Sequence, residues 1–422
     1  MLPTATAVRS NWAGNYIYRA ASVVQPTTVD ELRELVRTLP RSKALGARHS
    51  FNHVADTAGT QISLANFKAT QLDLESSTVT VGAGVAYGEI APWLHDQNFA
   101  LRNLASLPHI SIVGACATGT HGSGLRNQCL SASVSGLEMV TASGELLRLS
   151  RETHPELFAG AVVGLGALGI VTAVTLDLVP AFEVAQTVYE NLAFDQLEDR
   201  IEEIFGSAYS VSLFTDWQHG RATQVWLKQK LDGNMQARDG GQFFGATRQT
   251  YKLHPLPGMS PENCTEQLGQ PGPWYDRLAH FRHDYVPSAG AELQTEYFVP
   301  LAHAVAAMRA VEALRDRITP HLLISELRTV AADDLWLSPT YGRDSLAIHF
   351  TWKPESEAVL ALLPVIQSAL EPFGARPHWA KLFTTAPERI AALYPKFDDF
   401  KTLMRNFDPD GHFRNEYLNA IF

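Results

Sequence analysis

Two stretches in the second half of the chain set out rows of groups able to bind and polarise hydroxyls. Side chains alternate between the two faces of a strand. In Leu322–Val330 this puts Glu326 and Arg328 on one face, with Leu323 and Leu327 on the other. In Ser345–Lys353 it puts His349, Thr351 and Lys353 together, with Leu346, Ile348, Phe350 and Trp352 opposite. Each strand is predicted to carry a polar row backed by an apolar face. One reading is a solvated surface. The other is a ligand site with a carboxylate, a guanidinium, an imidazole and a hydroxyl. That set suits a substrate bearing several hydroxyls, because each hydroxyl both donates and accepts. His378-Trp379-Ala380-Lys381 adds a cation.

Two further segments have chemical potential. His49 lies in Gly46-Ala47-Arg48-His49-Ser50-Phe51-Asn52, just after a short strand. A lone histidine reads as structural as readily as chemical. The segment from Ser106 to Gly124 contains Ser111, Gly114, Thr118, Gly119, Thr120 and His121. Its small residues let a backbone approach a ligand closely, and its hydroxyls and free N–H groups can meet phosphate oxygens. A tight structural loop has the same composition. Gly164-Leu165-Gly166-Ala167-Leu168-Gly169 fits the dinucleotide fingerprint, but the residues that follow are β-branched and run to Pro180. No helix opens there to receive a pyrophosphate, so a nicotinamide site of that kind is rejected. Gly82-Ala83-Gly84 has Tyr87 in place of the third glycine. There is no HExxH, GxSxG elbow or P-loop, so hydrolase, zinc-protease and kinase readings have no support.

The elements that must position these groups are of mixed order. Thr28 and Glu31 form a capping-box pattern before a helix with Leu32, Leu35, Val36 and Leu39 on one face. Strands are predicted at 44–45, 78–81, 137–141, 146–149 and 170–178, and a helix at 87–97. Residues 103–124 and 231–250 read as loops. Beyond Pro180, strands are predicted at 209–217, 223–229, 292–299, 322–330 and 345–353, with helices at 194–205, 302–317, 356–370 and 387–394. This order predicts an antiparallel sheet backed by helices. No internal repeat is found.

Composition removes whole classes. At 422 residues the chain is long enough for two domains, and 45% hydrophobic with 18% charged residues is ordinary for a folded protein. A net charge of −10 without a basic run argues against nucleic acid. Cys116, Cys129 and Cys264 form no CxxC pair, which disfavours disulfides and cysteine-ligated metal and fits a reducing, cytoplasmic compartment. Met1 to Ser10 lacks the apolar core of a secretory signal. Phe158 to Leu176 is uncharged, yet its glycines and β-branched residues predict a buried strand entered through a tight turn, not a membrane span.

The combined pattern resembles the vanillyl-alcohol-oxidase-type flavoproteins and, within them, the alditol oxidases. The likeness runs from Asn11-Trp12-Ala13-Gly14-Asn15 to Phe413-Arg414-Asn415. It is carried by Gly46–Asn52, Asn103–Gly124, Ala208–Trp217, Asn263–Gln267, Glu326–Asp333, Trp336–Arg343, His349–Trp352 and Arg376–Lys381. The resemblance implies an α+β, two-domain FAD-binding fold. Residues 1–180 would hold FAD and 181–422 would form a substrate or cap domain, with the last ~40 residues returning to the FAD domain. It implies FAD bonded to His49 and lined by Gly46, Ala47, Arg48, Ser50, Ser106, Ser111, Gly114, Thr118, Gly119, Thr120, His121 and His378, with Val171 at the adenine end. It implies that Ser106, Glu326, Arg328, Thr351 and Lys381 contact a polyol. Arg328, Lys381 and Glu326 would act in oxidising its terminal carbon, and O2 would be reduced to hydrogen peroxide. A monomer is expected. A sugar-1,4-lactone oxidoreductase shares the same pattern and is the alternative. Arg48 stands where the related oxidases often have glycine, and Cys116 where a small hydroxyl residue is expected.

Overall fold

The computed structural model describes residues 10–231, 241–284 and 291–422. The expectation for Met1 to Ser10 falls almost wholly outside them. Among the described residues there are three main sheets and a two-stranded ribbon.

The N-terminal part opens with a small parallel sheet. Ser22–Val24 and Ser42–Leu45 flank Thr60–Ser63. The helix Val29–Thr38 starts where the cap pattern places it, with the Thr28 hydroxyl accepting from the Glu31 N–H. Its Leu32 and Val36 are buried against Ile62 and Leu64. A five-stranded antiparallel sheet follows, in the order Thr70–Asp73, Thr78–Gly82, Ile170–Asp177, Val134–Val140, Leu146–Ser150. Ile170–Asp177 alternates buried and half-buried residues along its whole length, and Gly164–Gly169 leads into it as a turn. No helix opens on those glycines, so the rejected fingerprint stays rejected. The uncharged stretch is only part strand, because the helix Pro155–Ala161 occupies its start. No described helix is long and apolar enough to cross a membrane.

The second half forms one large antiparallel sheet. Its central order is Glu183–Ala193, Arg221–Leu231, Ser210–Thr215, Leu322–Val330, Ser345–Trp352, Leu293–Pro300. The helices Ala304–Glu312 and Ser356–Leu370 cover one face. Leu327, Leu346, Ile348, Phe350 and Trp352 point into that layer and are fully buried. Each such side chain contributes about 1.5–3 kcal/mol through burial. The strands' alternate residues therefore face the N-terminal half, so the polar rows lie inside the molecule and not under solvent. A further large core joins residues 54–184 to 379–421, including Trp379, Phe400 and Leu418, and takes in Trp274, Leu278, Leu335 and Leu337 from the second half.

Several expectations need correction. The loop 103–124 contains the helix Ile112–Ala117. Within 231–250, residues 232–240 lie outside the described set, and Gln242–Phe243 pairs with Ala246–Arg248 as a short hairpin. The helix expected at 302–317 breaks into Ala304–Glu312 and Arg315–Ile318, and that at 194–205 into Asp195–Glu198 and Ile201–Phe205. The strand Glu183–Ala193 and the helix Phe397–Phe407 were not expected. Lys353 leaves the row, since the strand ends at Trp352 and the lysine donates to the Pro320 carbonyl at 2.6 Å.

Candidate active site

One long cavity lies between the large sheet and the N-terminal half. Its walls come from segments 43–51, 105–121, 161–171 and 378–381, and from the inward-facing residues of the large sheet. All the expected site residues line it except Gly119. That glycine turns at a φ of +67°, and a Cβ there would meet the Pro339 ring at 2.6 Å.

At one end stands Lys43, fully buried, donating to the carbonyls of Leu165, Gly166 and Phe413 at 3.1, 2.9 and 3.2 Å. It ties the glycine turn to the C-terminal segment. The middle is lined by small residues. Cβ atoms added at Gly46 and Gly114 would fall 3.0 and 2.7 Å from the Ser111 hydroxyl, which has no protein partner among the described residues. Arg48 adopts a φ of +64°, a left-handed conformation that favours glycine. Its side chain donates to the Ser10 carbonyl at 3.2 Å. His49 follows at once. Its ring packs 4.8 Å from Trp12 and 4.5 Å from His109, centroid to centroid. Burial, with His109 and Arg48 nearby, pushes its pKa down to about 3, so the imidazole is neutral and keeps a lone pair. A long cleft with an unpaired hydroxyl, a neutral imidazole and small-residue walls fits a flavin dinucleotide. Cys116 is buried beneath the helix Ile112–Ala117, 3.7 Å from the Tyr87 hydroxyl, and does not line the cavity.

The other end holds the polar rows, organised by a carboxylate that the sequence reading did not single out. Glu296, from strand Leu293–Pro300, is paired in register with His349. It accepts from Lys381 Nζ at 2.6 Å, Arg328 Nη2 at 3.2 Å and His121 Nε2 at 3.1 Å. Burial would raise its pKa, but Lys381 and the neighbouring imidazoles hold it well below the usual range. Lys381 also donates to His349 Nδ1 at 2.8 Å. Burial and Lys381 lower the His349 pKa to about 3. With its lone pair turned to Lys381, His349 carries its proton on Nε2 and donates to the Thr351 hydroxyl at 3.1 Å. Arg328 Nη1 donates to the Ser106 hydroxyl at 3.3 Å, while its Nε is buried without a hydrogen-bond partner, 3.5 Å from Glu326 Oε1. Glu326 accepts from His280 Nε2 at 2.7 Å. Its carboxyl is held well below the ordinary range by Arg328 and His280, against the effect of burial. The hydroxyl protons of Ser106 and Thr351, one Lys381 N–H, the Arg328 Nε–H and Glu326 Oε2 remain unpaired by protein. Spread along one cavity wall, they match a chain of hydroxyls.

Comparison with known proteins follows the same division. Residues 20–150 match the family described as FAD binding domain, and residues 291–421 match D-arabinono-1,4-lactone oxidase. An alditol oxidase of Streptomyces sp. is 47% identical over 99% of both chains. The L-gulono-1,4-lactone dehydrogenase of Mycobacterium tuberculosis is 28% identical over 98% of both. In fold, the chain superposes on cholesterol oxidase from B. sterolicum with a TM-score of 0.79, at 14% identity over 100% of both chains. The sheet architecture is therefore that of the vanillyl-alcohol-oxidase-type FAD fold, the cofactor is FAD, and the chain belongs to the alditol oxidase family of FAD-linked oxidoreductases.

Proposed function

We propose that this enzyme oxidises the terminal primary alcohol of alditols such as xylitol and sorbitol to the aldose, with O2 reduced to hydrogen peroxide. The observation that carries this reading is the row of unpaired donors and acceptors from Ser106 to Lys381, on the same cavity as His49. Residues 1–180 form the FAD part and 181–422 the substrate part, with the last ~40 residues completing the former. The core shared by 54–184 and 379–421 supports that division. Bound FAD supplies the two-electron acceptor for the substrate carbon and passes the electrons to O2. Gly46, Ala47, Ser50, Ser111, Gly114, Thr118, Thr120, His121, Val171 and His378 would hold it. Arg328 and Lys381 stabilise negative charge on the reacting oxygen as its proton leaves to a nearby base or to water. Glu326 accepts from the neighbouring hydroxyl, and Ser106 and Thr351 fix hydroxyls further along. A monomer is the expected active unit. The three cysteines are buried and free, which supports a reducing, cytoplasmic setting.

The cofactor bond is tested by denaturation. The neutral ring of His49 on the cavity wall supports a covalent link to the flavin. The protein is expected to stay yellow after acid precipitation, and His49→Ala to release its flavin into the supernatant. Free FAD from the unmutated protein would falsify the bond.

The substrate class is tested by a screen of polyols, simple alcohols and lactones with peroxide detection. Each hydroxyl missing from the substrate leaves a buried polar group unpaired, at roughly 1–3 kcal/mol. The expected order is xylitol or sorbitol, then glycerol, then simple primary alcohols, with kcat/KM falling at least about tenfold at each step. Glu326→Gln keeps an acceptor but loses the charge, and should weaken xylitol much more than 1-butanol. The alditol reading fails if 1-butanol matches xylitol. If a γ-lactone outruns both, the lactone oxidoreductase reading, favoured by the match over residues 291–421, replaces it.

A further inference from the structure

Behind Glu326 lies a buried chain of groups that touches no part of the cavity beyond His280. Lys228 stands in the middle of strand Arg221–Leu231 and is 0% exposed. Alternation along that strand turns it toward the cavity side of the sheet, where a charge is ordinarily solvated. Here it reaches three acceptors instead. Its Nζ donates to the Leu278 carbonyl at 2.7 Å and the Ala279 carbonyl at 2.8 Å, and lies 3.3 Å from His280 Nδ1. An ammonium has three N–H bonds and no lone pair. Burial lowers the Lys228 pKa to about 7, with Glu326 opposing. In the protonated state all three are used, and because a carboxylate can only accept from Nε2, the ring nitrogen that faces Lys228 is the unprotonated one. The proton of the neutral imidazole then sits on Nε2, 2.7 Å from Glu326 Oε1. Burial keeps that imidazole neutral, pushing its pKa down to about 4.

The same residue holds a second substrate group. The backbone N–H of His280 and that of Phe281 both point to the Ser106 carbonyl, at 3.2 and 3.3 Å. Thr265 braces the segment, its N–H bonding the His280 carbonyl at 2.9 Å and its hydroxyl the Ala279 carbonyl at 2.8 Å. Ser106 and Glu326 are far apart in sequence and come from different elements. Residues 278–281 hydrogen-bond to both, and Arg328 also contacts both, at 3.3 and 3.5 Å.

We propose that Lys228 and His280 are positioning residues for substrate selectivity. Lys228 fixes the His280 tautomer, and His280 in turn fixes Glu326, so that Oε1 is occupied and Oε2 is presented to the hydroxyl beside the reacting carbon. This rests on the reading that Glu326 binds that hydroxyl. Without the Nε2–H donor, the carboxylate loses a charge-assisted bond and turns toward Arg328, whose Nε is only 3.5 Å from Oε1. Its Oε2 then becomes less available to a polyol. A substrate with no second hydroxyl does not use Glu326, and its binding does not change.

The test compares xylitol with 1-butanol by anaerobic flavin reduction, in the FAD-loaded enzyme. His280→Leu keeps the volume and removes the donor. It should raise the half-saturating xylitol concentration about tenfold or more, leave that for 1-butanol unmoved, and leave flavin content unchanged. His280→Gln places an amide N–H near the Nε2 position and should restore most of the loss. Lys228→Met should show the same selective loss as His280→Leu and add nothing when the two are combined. A loss shared equally by xylitol and 1-butanol, or no rescue by glutamine, overturns the proposal. The His280→Leu and His280→Gln pair decides this even if Lys228→Met does not fold. Glu326→Gln run in parallel separates the two levels. If it too fails to discriminate xylitol from 1-butanol, the reading of Glu326 is at fault. If it discriminates and the His280 variants do not, only the relay is wrong.

Discussion

Arg328→Ala is expected to slow flavin reduction at saturating xylitol by ~10²–10³, the usual cost of removing one donor aimed at developing charge. The guanidinium is buried on strand Leu322–Val330 and held from two sides, by Glu296 at 3.2 Å and by the Ser106 hydroxyl at 3.3 Å. A group so fixed needs no reorganisation when charge appears on the substrate oxygen. Its Nε–H is buried without a hydrogen-bond partner, a state that costs free energy unless a ligand meets it. Arg328→Lys should not rescue the rate, because an ammonium lacks the planar fork that spans Glu296 and Ser106 while turning its Nε–H to the substrate. The loss should appear in the single-turnover rate constant and not only in KM. An unchanged single-turnover rate would place Arg328 away from the reacting carbon. Flavin content, read from the visible spectrum, should not change, which separates this role from one in cofactor binding.

The groups legible in the sequence are those set by local periodicity. Glu326 and Arg328 share a face because they are two residues apart on a strand, and so do His349 and Thr351. Their burial was not legible, since a polar row looks the same under solvent as under a second layer. Glu296 shows the limit more sharply. Its strand was expected, and it alternates with the buried Thr295 and Tyr297, but its meaning depends on partners 175, 32 and 85 residues away. Nothing local distinguishes it from a surface glutamate. Lys228 is misleading in the same way, a lysine in an alternating strand that proves to be fully buried. The strand Glu183–Ala193 escaped notice because most of it is buried on both sides, so no alternation marks it. The helix Ile112–Ala117 has only six residues, too few to show an apolar stripe. The helix Phe397–Phe407 carries Phe397, Phe400, Leu403 and Met404 at helical spacing, a signal the sequence reading does not use.

Glu296→Gln should be the most damaging single change in the site, because it leaves buried cations without their counter-charge. Breaking a buried pair from one side costs about 3–5 kcal/mol, which urea unfolding of the FAD-loaded protein would measure. The pH dependence gives the sign. The folded-state pKa of Glu296 lies well below its ordinary value, so its contribution is fully present above the unfolded carboxylate range. It is lost progressively as pH falls from the unfolded carboxylate range through the depressed folded value. The stability gap between the native protein and the variant should therefore shrink below about pH 4. Activity should shift in the opposite direction. Burial lowers the Lys381 pKa, and Glu296 is the first group that opposes this. With glutamine in its place, Lys381 gives up its proton at a lower pH, and the cation that meets the developing alkoxide disappears with it. The alkaline limb of the kcat profile should move to lower pH in the variant, while Lys381→Met should be slow at every pH. If the variant keeps the native alkaline limb, Lys381 does not act as a cation in turnover. If stability is also unchanged, Glu296 is not the charge that holds Lys381, Arg328 and His121 together.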